Sequence, residues 1–142
     1  MRYLLLAWFV LFIPASRASS GVPSDFSTTI GDAVLCLDKI DPAYFESYLQ
    51  SFFGSPYRTE GDRKWYRVKE LLWKKEKISD VIVGEAPAFL AVIAEDSPEG
   101  AANAILESSG IPYAFDNGTG VSAEFGEIAR YGNMTEVFCL QN

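Results

Sequence analysis

The sequence of 142 residues contains no histidine. That absence removes the Ser-His-Asp triad, the Cys-His pair and every histidine-ligated zinc or iron site. Cysteine is scarce as well, with only Cys36 and Cys139, and these are not spaced as a redox Cys-x-x-Cys. If both are oxidised, thiolate nucleophiles and thiolate metal sites go too. Neither a P-loop nor a Gly-x-Gly-x-x-Gly pattern is present, so no phosphate-cradling motif stands out and no cofactor is expected. No internal repeat and no low-complexity tract is visible. Positive charge is in short supply: 12 Lys and Arg face 19 Asp and Glu, for a net charge of −7. This balance disfavours nucleic acid and anionic membrane surfaces as partners, because both repel an acidic protein.

The longest hydrophobic run lies at the start. Met1-Arg2 is followed by an apolar stretch from Tyr3 to Ile13, then Pro14, with small residues at Ser16 and Ala18. The run is too short to span a bilayer and has the layout of a cleavable secretory signal over residues 1–18. The expectation is an exported, periplasmic or secreted protein with no membrane anchor after cleavage. Residues 19–24 read as a flexible leader, and 25–142 as a single α+β domain with a sizeable core. In an oxidising compartment Cys36 and Cys139 should pair, closing a loop of about a hundred residues.

Periodicity supplies the elements. Phe26, Ile30, Ala33, Val34, Leu37 and Ile40 recur at helical spacing, predicting a helix over about 26–39. Asp41-Pro42 restarts the pattern as cap and first helical residue, and Gly54 stops it. Gly54 to Gly61 reads as a loop. From Arg63 the period becomes two, predicting a strand through Trp73, a turn at Lys74-Lys75-Glu76, and strands over 78–83 and 88–94. Ser97-Pro98-Glu99 opens a helix that Gly110 ends. Asn117-Gly118 is a hairpin signal, and short strands follow at Val121–Phe125, Ile128–Tyr131 and Thr135–Leu140. The predicted class is α+β: an antiparallel sheet of about five strands, with two N-terminal helices and one mid-chain helix packed on one face.

Few chemistries survive these absences. Carboxylate catalysis has Glu124 with Glu127, or Glu95 with Asp96, as candidates, and their separation cannot be read from sequence. Asp116-Asn117-Gly118-Thr119 lacks the spacing of a calcium loop and suits a turn better. Asn117-Gly-Thr119 and Asn133-Met-Thr135 match the N-glycosylation sequon, although turn geometry alone accounts for Asn-Gly.

The strongest remaining signal is charge segregation. Eight of the ten basic residues beyond the signal lie between Arg58 and Lys77. The predicted hairpin carrying Arg63, Lys64, Trp65, Arg67, Trp73, Lys74 and Lys75 is therefore the candidate partner-binding surface, with the tryptophans as its apolar anchor. Tyr44, Phe53 and Tyr57 are the aromatics expected outside the core. The functional expectation is a small exported protein-binding module of the inhibitor, immunity-protein or accessory-factor kind, with a protein as partner. The alternatives are a small-ligand carrier with a pocket between helices and sheet, and a carboxylate-dependent hydrolase.

Overall fold

The computed structural model describes residues 23–122 and 126–141. The expected signal (1–18), most of the leader (19–24) and Glu124 lie outside these. The class is α+β with a large antiparallel sheet. Four helices, α1 (Phe26–Thr29), α2 (Gly31–Val34), α3 (Pro42–Phe53) and α4 (Pro98–Ser109), accompany eight strands. The strands are β1 (Arg58–Glu60), β2 (Arg63–Trp73), β3 (Glu76–Glu85), β4 (Ala88–Ala94), β5 (Ala114–Asp116), β6 (Thr119–Ser122), β7 (Gly126–Tyr131) and β8 (Met134–Gln141). They form one sheet in the order β1-β2-β3-β4-β8-β7-β6-β5.

The expectation of about five strands is thus corrected to eight among the described residues. The additional strands include short edge strands: β1 lies within the segment from Gly54 to Gly61 that reads as a loop, and β5 immediately precedes the Asn117-Gly118 turn. The single helix over 26–39 is also corrected. It divides at Ile30 into α1 and α2 and ends at Val34. Two causes are visible. Gly31 is a weak helix former, and a Cβ there would run into the indole of Trp73. Beyond Val34 the backbone turns left-handed at Cys36 (φ 56°), which is incompatible with a continuing helix. Cys36 there bonds to Cys139 of β8, with Cα atoms 5.3 Å apart.

The other two helices follow local rules. Asp41 accepts the Tyr44 N–H and Ser97 accepts the Gly100 N–H, each ahead of a proline in the first turn. Gly54 and Gly110 end them with positive φ. Helix-side residues from every layer share one core: Phe26, Ile30, Phe45, Leu49 and Ile105 pack on Tyr66, Leu71, Trp73, Leu90 and Val137. Residues of α1, α2, α3 and α4 therefore share one core with the strands.

A second, smaller core contains strand residues only: Trp65, Ile82, Phe89, Ala91 and Ile93, with Tyr131, Met134 and Phe138 at its rim. Sheet curvature buries it. Arg58 Nη1 on β1 donates to Tyr131 Oη on β7 at 3.2 Å. Those strands are five intervals apart, about 24 Å in a flat sheet, so the sheet must curl to let the side chains meet. The curled face encloses its own apolar residues.

The strand order also reveals an internal repeat that the sequence reading missed. A twelve-residue helix and four-stranded meander occurs twice, and the last strands of the two units, β4 and β8, pair antiparallel at the centre. This is the order that a two-fold axis between β4 and β8 would give. Gly54-Ser-Pro-Tyr57 and Gly110-Ile-Pro-Tyr113 stand at a constant offset of 56 positions (54 to 110), as do Pro42 and Pro98. Beyond the first hairpin turn the units differ in length, which hides the repeat from a fixed-offset comparison.

Candidate protein-contact surface

Strand alternation decides where the basic residues go. On β2, Arg63, Trp65 and Arg67 point to the curled face, whereas Lys64, Tyr66 and Val68 point to the helices. The β2–β3 register then shifts between Arg67 and Leu71, because four steps on β2 match two on β3 (Arg67↔Asp80, Leu71↔Ile78). Alternation breaks within this irregular stretch, and β3 carries its own extra residue against β4 between Ile78 and Asp80, so Leu71, Trp73 and Ile78 all join the helix-side core.

The seven sequence-predicted surface residues are consequently dispersed. Trp65 (5% exposed) and Trp73 (1%) are buried on opposite faces. They do not form a joint exposed anchor, because the bulge separates them. Lys64 Nζ lies 2.7 Å from Glu46 Oε1 of α3, and this partner holds the Lys64 ammonium above its ordinary pKa. Arg63 stacks over Phe89 at 3.9 Å. Arg67 covers the Tyr57 ring at 4.3 Å and its Nε lies 3.6 Å from Asp80 Oδ1. Lys74 and Lys75 occupy the β2–β3 turn with φ of 52° and 70°. Lys75 reaches Glu107 of α4 at 3.2 Å, with both side chains about two-thirds exposed, where such a pair contributes little.

What remains together is the outer border of β2. β1 pairs with only three of its residues, Arg63, Lys64 and Trp65. From Tyr66 onward no strand among the described residues flanks that side. Arg67 and Lys69 are exposed along it, and Leu72, at 65%, is the most exposed large hydrophobic residue described. Tyr57, 48% exposed, stands at the corner where β1 departs. Sequence reasoning placed Tyr57 outside the core but missed Leu72, because a Leu-Leu-Trp run reads as buried. Of the other aromatics expected outside, Tyr44 is exposed; Phe53 is partly buried against the core and Phe52 is exposed in its place.

Buried polarity is concentrated nearby. Trp65 Nε1, Trp73 Nε1 and Asp80 Oδ1 have no hydrogen-bond partner among the described residues. Asp80 is 6% exposed, and its other oxygen accepts from Ser79 Oγ at 2.7 Å. Burial raises the Glu136 carboxyl, and the Arg63 charge partly offsets this.

The carboxylate pairs are not brought into a facing arrangement by the described residues. Glu95 and Asp96 are exposed in the β4–α4 turn. There Asp96 Oδ1 accepts the Ser97 N–H, and its carbonyl accepts from the buried Thr135 hydroxyl at 2.7 Å. Glu127 lines a cleft of about 330 Å³ with Cys36, Val121, Gly126, Phe138 and Leu140. Among the described residues, Tyr66, Trp73, Leu90 and Ile105 pack in the layer between helices and sheet, where the alternative carrier reading puts its pocket. Asn117 (φ 50°) and Asn133 are exposed in hairpin turns. No group of His, Cys, Asp or Glu that could hold a metal occurs among the described residues, and no helix there is long and apolar enough to cross a membrane. Comparison with protein-family models, with curated proteins and with solved structures finds no match for this chain.

Proposed function

We propose that this chain is an exported protein-binding module whose contact surface is the outer border of β2 and its turn. The observation that carries the reading is the exposed row of Arg67, Lys69 and Leu72 leading to Lys74 and Lys75, on a chain of net charge −7. Segregated positive charge steers a partner during encounter. Leu72 and the Arg67-covered Tyr57 supply apolar area that charge alone lacks. The disulfide fits an oxidising compartment, in line with export. The test compares capture of partners from the native compartment by the wild type and by a Lys69→Glu, Lys74→Glu, Lys75→Glu variant of equal folded stability. Capture should be lost at low salt. Undiminished capture would remove this surface from consideration. A second reading, a small-ligand carrier, has the cleft beside Cys36 in its favour, at the lower end of ligand-pocket volumes.

A further inference from the structure

The border of β2 is more than a row of side chains; it is an incomplete sheet. Pairing with β1 ends at Arg58↔Trp65, while β2 continues for eight more residues to Trp73. The Tyr57 N–H donates to the Trp65 carbonyl at 3.0 Å, so the Trp65 backbone groups face outward. Backbone direction repeats every second residue along a strand, so the N–H and C=O of Arg67 face outward as well. Beyond β1 they meet no strand among the described residues.

Such a border is a template for another strand. The other end of the sheet differs. There β5 pairs with Thr119, Gly120 and Val121, three of the four residues of β6. The open stretch therefore belongs to β2. Its side chains select what can add. Arg67 and Lys69 lie on the border and Lys74 and Lys75 at its end. A second copy of β2 would set these cations against their own kind, and the bulge after Arg67 spoils a long regular ladder. An extended acidic segment meets neither obstacle at the Arg67 end.

We infer that the border of β2 at Arg67, just beyond the end of β1, binds its partner by strand addition, taking an extended segment rich in Asp or Glu. This rests on the protein-binding reading above and specifies its mode. Main-chain hydrogen bonds from Arg67 would hold the segment, while Arg67, Lys69 and Lys74 select its charge.

The probe is the peptide acetyl-Glu-Val-Glu-Val-Glu-Val-Glu-amide, with the Lys-Val analogue as control, on the whole protein at low salt. Fluorescence anisotropy should show the acidic peptide binding at least about tenfold more tightly, with the preference shrinking as salt rises. Amide exchange at Arg67 should slow about tenfold or more at saturation, while the Lys64 and Tyr66 amides stay as they were. Arg67→Gln removes the charge together with the Tyr57 and Asp80 contacts but keeps the outward N–H; Arg67→Pro also removes that N–H, and should bind about fivefold more weakly again. The exchange measurement on wild type stands even if the proline variant does not fold.

Acidic-peptide binding without slowing at Arg67 would overturn strand addition and leave the basic contact surface standing. Equal binding of both peptides, or binding of neither, would overturn the acidic segment. Slowing at Arg67 that follows protein concentration alone would make the occupant a second copy. The protein-binding reading fails separately, if charge reversal at Lys69, Lys74 and Lys75 leaves native capture intact.

Discussion

From Pro42 to Ala94 a helix of twelve residues precedes strands of 3, 11, 10 and 7 residues; from Pro98 to Gln141 the same plan has strands of 3, 4, 6 and 8. The helices, caps and first hairpins of the two units match. What differs is the long β2–β3 hairpin and the charge. The second unit carries a single basic residue, Arg130, whereas eight of the first unit's residues from Arg58 to Lys77 are basic. In the second unit β6 is almost covered by β5. In the first, β2 outgrows β1. The exposed cations and the unpaired border coincide with the place where the units cease to be equivalent. A shared plan supplies the frame, and the proposed contact surface lies where the units depart from it.

The largest test of that comparison is the link between the units. Cys36 precedes the first unit and Cys139 lies in the last strand of the second. Replacing both with Ser should cost about 4–5 kcal/mol in the chain-entropy account, read from urea denaturation. A loss below about 1 kcal/mol would show that β4–β8 pairing alone holds the units together.

Next comes the anchoring of the long hairpin. Gly31→Ala sets a Cβ against the rigid Trp73 indole, whereas Gly100→Ala meets the movable carboxylate of Asp96. The first should destabilise by about 1–3 kcal/mol. The second should be near neutral, because better helix propensity offsets the contact. Equal effects would mean that Trp73 yields, and that the hairpin is less firmly seated than its burial implies.

The caps probe equivalence directly. Asp41→Ala and Ser97→Ala should each cost about 0.5–2 kcal/mol, and by similar amounts. Denaturation midpoints that moved for one and not the other would break the parallel between the units.

The smallest expected effect is electrostatic. Glu136 of the second unit sits where burial raises its carboxyl pKa, with Arg63 of the first unit opposing. A raised pKa means that the fold disfavours the charged form, so the penalty is present at neutral pH and is relieved as pH falls through the folded value. Glu136→Gln should therefore stabilise by a few tenths of a kcal/mol at pH 7 and by progressively less toward pH 4. A loss of stability at pH 7 would show that the Arg63 charge outweighs burial.

Features set by neighbouring residues were legible before the fold was known. Asp41-Pro42 and Ser97-Pro98 announce helix starts because a cap and a fixed φ act within one turn. The Lys74-Lys75 and Asn117-Gly118 turns emerge where strand patterns break. With two cysteines, only one intramolecular pairing exists. Features set by distant partners were not legible. The bulge after Arg67 depends on how β3 aligns, so strict alternation gave no hint that Trp65 and Trp73 would face opposite ways. The curl that buries Phe89 and Ile93 without a helix is a property of the whole sheet.

The Cys36–Cys139 bond has a mechanical consequence. The link spans 103 positions, which fully stretched would measure about 350 Å. A pull on the chain from outside the two cysteines passes through the bond and bypasses the sheet. While the bond holds, that length stays hidden: traction could draw out α1 and α2 but could not unzip β2 from β3. After reduction the same pull would reach β8 at the centre of the sheet, and the hidden length would be released.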